Sequence, residues 1–165
     1  MSLGFLMSDR IPMTRTGFDK IKAEADHLHS VEMPKILERL ATARAEGDLS
    51  ENAEYHGARE SQGLLQARID LLRDKLARAV LMDASQAPKG EVAFGSTVRV
   101  KDLVFDDEEE FTLVGAGEED YDTAKILITS PLAQGLVGKK PGDRVEIAVP
   151  QGTLKFEILE IRFES

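Results

Sequence analysis

The sequence predicts an α+β protein, in which a long antiparallel helical hairpin precedes a small β-rich domain. Three observations predict it. Apolar residues keep helical spacing across residues 14–80, strand-like alternation replaces that spacing beyond residue 95, and the charge divides between the same two regions. Residues 14–80 carry 11 basic and 12 acidic side chains, whereas residues 81–165 carry 9 and 17. Most of the net charge of −9 therefore lies in the second half. Such asymmetry suggests two domains with different partners.

Taking the elements in order, Thr14 or Thr16 can cap the first helix, since a hydroxyl there accepts bonds from orphan backbone N–H groups. Phe18, Ile21, Ala25 and Leu28 follow on one face, and the pattern resumes, shifted by one residue, as Met33, Ile36, Leu40 and Ala43. Pro34 sits at that shift, where it lacks a backbone donor and should bend the helix. The second helix is more regular. Tyr55, Ala58, Gln62, Leu65, Ile69, Leu72, Leu76 and Ala79 hold a strict 3–4 alternation, which marks a coiled-coil seam rather than a broad globular face. Between the helices, Gly47 can take the left-handed conformation that ends one, and Ser50 or Asn52 can cap the next. Arms of about 30 residues reach ~45 Å. Nothing else in the chain could cover that length, so the hairpin is expected to project.

Residues 83–94 read as a linker, with Pro88, Lys89 and Gly90 together and no periodicity. Alternation then marks strands at Thr97-Val98-Arg99-Val100, Phe111-Thr112-Leu113-Val114, Lys125-Ile126-Leu127-Ile128, Val145-Glu146-Ile147-Ala148-Val149 and Leu154-Lys155-Phe156-Glu157-Ile158-Leu159. Pro150-Gln151-Gly152 is a hairpin turn, and residues 130–137 suit one short helix. The expected sheet is antiparallel with a helix against it. The domain boundaries are thus 1–12 for a flexible N-terminal extension or tag, 13–82 for the hairpin, 83–94 for the linker and 95–165 for the C-terminal domain.

Composition narrows the function. Cysteine is absent, which removes disulfides and thiolate metal sites and fits a reducing cytoplasm. No apolar run approaches the ~18 residues that span a membrane, and Met1 to Leu6 lacks the basic start of a signal peptide. Net acidity argues against broad nucleic-acid binding. No phosphate-cradling loop or nucleophile elbow is present. His27 and His29 lie two apart on a helix and face different directions, and His56 has no companion ligand, so all three read as surface groups.

The hairpin tip is the place where chemistry could reside. Asp48 and Glu51 are three residues apart across a tight turn, so both carboxylates can point the same way. Hard oxygen ligands suit Mg²⁺, but two are too few to hold it tightly, and a partner would have to supply the rest. Taken alone, acidic residues beside a helix start more commonly complement its dipole. Arg44, before the tip, and Arg59, after it, could sit near one another on the hairpin, where a guanidinium could hold a phosphate bidentately, although ordinary ion pairing is the commoner use of either.

The run Gly47-Asp48-Leu49-Ser50-Glu51-Asn52-Ala53-Glu54-Tyr55-His56 closely resembles the tip motif of the Gre transcription factors, in the wording of the GreA type. A second run, Ser130-Pro131-Leu132-Ala133 through Gly138-Lys139, with Gly142-Asp143 following, resembles that family's C-terminal domain. The likeness covers about residues 11–161. It implies a coiled-coil hairpin joined to an FKBP-like domain. It further implies a cytoplasmic, monomeric factor that is not itself an enzyme. Such a factor completes the active site of bacterial RNA polymerase and contacts the nascent RNA 3′ end. Its C-terminal domain docks at the rim of the polymerase secondary channel while the hairpin threads down it. Asp48 and Glu51 then fall on the family's functional acidic positions, sharing a Mg²⁺ with the polymerase for cleavage of backtracked RNA. Arg44, Asn52, Tyr55, Arg59, Ser130, Pro131 and Leu132 fall on positions expected to contact polymerase or RNA. Two alternatives stand beside this. One is a secondary-channel binder that regulates polymerase without cleavage, and the other is an FKBP-like isomerase or chaperone.

Overall fold

The computed structural model describes residues 9–48 and 52–163. By contacts the chain forms two compact units, one of residues 19–79 and one of residues 1–18 with 80–165.

The helical unit is built on the expected seam. Helix α1 spans Arg15–His27, a π-helical turn spans Leu28–Glu32, and α2 spans Met33–Ala45. Helix α3 runs over Ala53–Ala77. Every one of the sixteen seam positions named above is buried or half-buried. Ile69 is fully buried and Leu72 nearly so, while Leu71, one residue off the seam, is 48% exposed. Period, rather than hydrophobicity alone, decides which leucines pack.

The π turn explains the one-residue shift in that seam. The Met33 N–H donates to the Leu28 carbonyl, five residues back rather than four. This widened turn absorbs one extra residue, so Leu28 and Met33 remain on one face although they are five apart. It also lies immediately before Pro34, which has no N–H to complete a regular α-helical ladder.

In the other unit, a five-stranded sheet has the order β5-β4-β3-β7-β6. Its strands are β3 (Ser96–Asp102), β4 (Glu108–Val114), β5 (Lys125–Leu127), β6 (Arg144–Val149) and β7 (Gly152–Phe163). Strand β3 alternates strictly, with Ser96, Val98, Val100 and Asp102 buried and the residues between them half-buried. A register shift between Arg99 and Val100 marks a bulge against β7. Helix α4 (Pro131–Leu136) contributes Ala133 and Leu136 to a core with Val98, Val100, Leu113, Ile147, Phe156 and Ile158.

Three expectations need correction. The sheet is mixed rather than wholly antiparallel, because β5 runs parallel to β4. Alternation reveals which face a residue occupies but not the direction of the strand, and the connection through residues 115–124 is long enough to reverse the chain. The segment assigned to the N-terminal extension ends in a strand, β1 (Ile11–Met13), which pairs with β2 (Ala79–Leu81). Met13 is fully buried. The segment assigned to the linker holds a 3₁₀ turn at Ala84–Gln86 and ends in the buried Val92, Ala93 and Phe94. Val92 belongs to the sheet core, and its N–H donates to the Lys139 carbonyl at 2.8 Å.

The start of α1 also belongs to the β-rich unit. Thr14 caps it, accepting from the Gly17 N–H at 3.1 Å, and its hydroxyl donates to Glu118. A Cβ on Gly17 would meet the Ala116 carbonyl at 2.5 Å, so only glycine permits this approach.

Candidate functional site

The hairpin tip is closed by backbone geometry and one amide. Helix α2 ends at Ala45, and the Glu46 N–H turns back onto the Ala43 carbonyl at 3.2 Å. Gly47 follows with φ +120°, which an L side chain rarely adopts. Asn52 then caps α3. Its Oδ1 accepts from the Tyr55 N–H at 3.1 Å while its Nδ2 donates to Ala43 O at 2.8 Å. One side chain therefore satisfies an orphan donor of α3 and ties it to the end of α2. Of the two caps the sequence allowed, Asn52 is the one used. Both its polar ends are engaged within the hairpin.

Asp48 lies exposed immediately beyond Gly47. Glu51, expected beside it, lies outside the described residues, as do Leu49 and Ser50. Glu54 occupies the first turn of α3, where its charge complements the helix dipole. Tyr55 is half-buried in the seam, with the Arg44 guanidinium 5.8 Å from its ring centroid and the His56 ring edge-on at 5.5 Å. Arg59 donates to Gln62 Oε1 at 2.9 Å. The two arginines thus engage different neighbours, Tyr55 and Gln62. What the sequence reading missed at the tip is the Arg44–Tyr55 stack. Nothing in the spacing of residues 44 and 55 alone reveals it without the turn geometry.

In the β-rich unit, Ser130 caps α4 by accepting from the Ala133 N–H at 3.2 Å, and Pro131 follows at the helix start. Ser130, Pro131 and Leu132 come together on the rim of a groove of about 340 Å³, shared with Phe111, Tyr121, Ile126, Val149, Pro150 and Leu154. This is a mostly apolar surface feature without a charged side chain, suited to contact rather than to acid–base chemistry.

Comparison with known proteins agrees with both motifs. Residues 11–81 match the family model described as transcription elongation factor, N-terminal, and residues 87–163 match that of the GreA/GreB C-terminal domain. The chain belongs to the GreA/GreB family of transcription elongation factors. Similar relatives are transcription elongation factor GreA of Thermodesulfovibrio yellowstonii, 50% identical over 96% of this chain and all of that protein, and GreA of Hyphomonas neptunium, 44% identical over 94% and 99%. Among solved structures, GreA factor homolog 1 of Thermus thermophilus is 21% identical and covers 93% of this chain and 99% of its own, with a TM-score of 0.45. Family membership rests on the sequence matches. No helix among the described residues is long and apolar enough to cross a membrane.

Proposed function

We propose that this Gre-family protein binds bacterial RNA polymerase, inserts its hairpin into the secondary channel and stimulates cleavage of backtracked nascent RNA, without being an enzyme alone. The observation that carries the reading is the placement of Asp48, exposed one residue beyond the left-handed Gly47, in a tip whose helices Asn52 ties together.

The donor set fits a shared Mg²⁺. Asp48 offers hard carboxylate oxygens at an exposed position, and Glu51 offers a second carboxylate in the sequence. Among the described residues, no group of three His, Cys, Asp or Glu side chains could hold an ion. Two carboxylates are too few to hold the ion tightly, so the hairpin supplies part of a ligand shell and the polymerase supplies the remainder. When bound, Mg²⁺ lowers the pKa of a coordinated water and stabilises charge on the phosphodiester. The chain's own contribution is placement. The seam sets the length of the arm, Gly47 turns the chain, and Asn52 limits how far α2 and α3 can splay at the tip.

The test is cleavage of labelled RNA in a stalled, backtracked polymerase complex. Asp48→Ala and Glu51→Ala should each lower the cleavage rate by orders of magnitude while still competing with wild type for polymerase. Their melting should remain within ~1 kcal/mol of wild type, since most substitutions outside a packed core cost little. Near wild-type cleavage by either variant would remove that residue from the shared-metal role. Polymerase binding without cleavage by the wild-type protein would favour the purely regulatory alternative.

A further inference from the structure

The turn between β3 and β4 presents a rigid apolar knob. Leu103, Val104 and Phe105 are 37%, 62% and 79% exposed. Single exposed apolar residues are ordinary, but three in succession on a fixed turn are not. The buried Asp102 holds them. Its Oδ1 accepts from the Val104 N–H at 2.8 Å and the Phe105 N–H at 3.0 Å. Its backbone N–H donates to the Asp107 carbonyl at 2.7 Å, and its carbonyl accepts from Asp106 at 2.9 Å. Leu103 N–H donates to the Lys155 carbonyl at 2.9 Å, which anchors the turn to β7. An aromatic presented on so constrained a backbone has little ordering left to lose on binding.

The knob has an acidic border, and strand alternation divides the acids into two sets. Glu108 and Glu110 pair with Arg99 at 3.6 Å and Arg162 at 3.0 Å, and Asp106 pairs with Lys101 at 3.0 Å. Asp107 and Glu109 fall on the alternate positions, and among the described residues no basic side chain pairs with either. Burial, followed by the carboxylates of Asp107 and Asp102, pushes the Glu109 carboxyl above its usual range. Local potential beside the knob is therefore negative. A second copy, carrying the same border and the same net charge of −9, is repelled from it. The complement is a recess that is apolar at its centre and basic at its rim.

We propose that residues 103–105 dock into an apolar recess bordered by Lys or Arg on the surface of RNA polymerase, with Phe105 as the anchor and Asp107 and Glu109 as steering charges. This rests on the polymerase-binding function proposed above. An aromatic anchor acts mainly on dissociation, and rim charges act mainly on association.

The experiment measures binding kinetics of the full-length protein to purified bacterial core RNA polymerase at several salt concentrations. The double variant Val104→Ser/Phe105→Ser should melt like wild type and bind roughly ten- to a hundred-fold more weakly, through faster dissociation. Asp107→Asn/Glu109→Gln should associate several-fold more slowly and show a flatter salt dependence, with dissociation nearly unchanged. Wild-type affinity in the serine variant overturns the docking site while leaving polymerase binding intact. A wild-type protein that fails to bind polymerase overturns both. A wild-type protein that sediments as a dimer, with the serine variant monomeric, assigns the knob to a second copy and also overturns the proposal.

Discussion

Asn52 uses both ends of its amide, and the two can be separated by substitution. Asn52→Ala loses the cap on the Tyr55 N–H and the bond to the Ala43 carbonyl. The expected loss is about 1–2 kcal/mol, read as a lower denaturation midpoint of the full chain. Asn52→Asp keeps the capping oxygen but has no N–H to donate, so it should fall between the two. An Asp variant no more stable than the Ala variant would show that the cross-turn bond, rather than the cap, dominates. Glu109 offers a pH-dependent counterpart. Its folded carboxyl has a raised pKa, first from burial and then from Asp107 and Asp102. Folding therefore favours the protonated form, so the penalty is absent well below the carboxylate range and complete once pH exceeds the folded pKa. Glu109→Gln should accordingly melt above wild type at pH 7, with the gap closing as pH falls through the raised folded pKa and gone below ~4. A gap that persists at low pH would point to packing instead. At this scale the sequence was legible where a residue type has one dominant local use, as with Gly47 at the turn. It was less so for Asn52, since a cap is visible in sequence while a bond nine residues back along the chain is not.

The elements were readable in proportion to their length. The seam of α1 to α3 repeats often enough to fix face, register and even the one-residue shift at Leu28–Glu32. The three-residue strand β1 carries too few alternations to announce itself, and β5, although marked in the sequence, carries too few to reveal its direction. The π turn permits a sharper test because two causes coincide there. Removing Ser30 would return Leu28 and Met33 to four-residue spacing and allow a continuous α-helix. Pro34 would then lie inside a regular ladder, where its ring and missing donor cost ~3 kcal/mol. The deletion alone should therefore destabilise the hairpin by about that amount, while the deletion combined with Pro34→Ala should recover most of it. Circular dichroism melts of the two proteins decide the matter. Equal losses in both would mean that the seam itself requires the extra residue.

Across the whole molecule, the proposed division between chemistry and docking follows the division into two units. Its position, however, was only half legible. The switch from helical to alternating spacing places the boundary near residue 80, but it cannot reveal that residues 11–18 belong with the sheet. That assignment rests on the pairing of β1 with β2, the burial of Met13 and the bond from Thr14 to Glu118. These contacts determine which truncation is informative. A fragment beginning near Val92 would lack β1, β2 and Met13, so loss of function in it would report lost packing as readily as lost chemistry. A better protein keeps residues 1–18 and 80–165 and replaces residues 19–79 by a flexible Gly/Ser linker of about ten residues, since such linkers impose little geometry. Under the proposed function it should fold, compete with wild type for polymerase at reduced affinity and give no cleavage at any concentration. Adding Val104→Ser/Phe105→Ser to it should weaken the residual competition by a further factor of roughly ten to a hundred. Cleavage by the linker protein would move the effector out of residues 19–79. Its failure to compete, while showing a cooperative melt, would place polymerase docking on the hairpin instead.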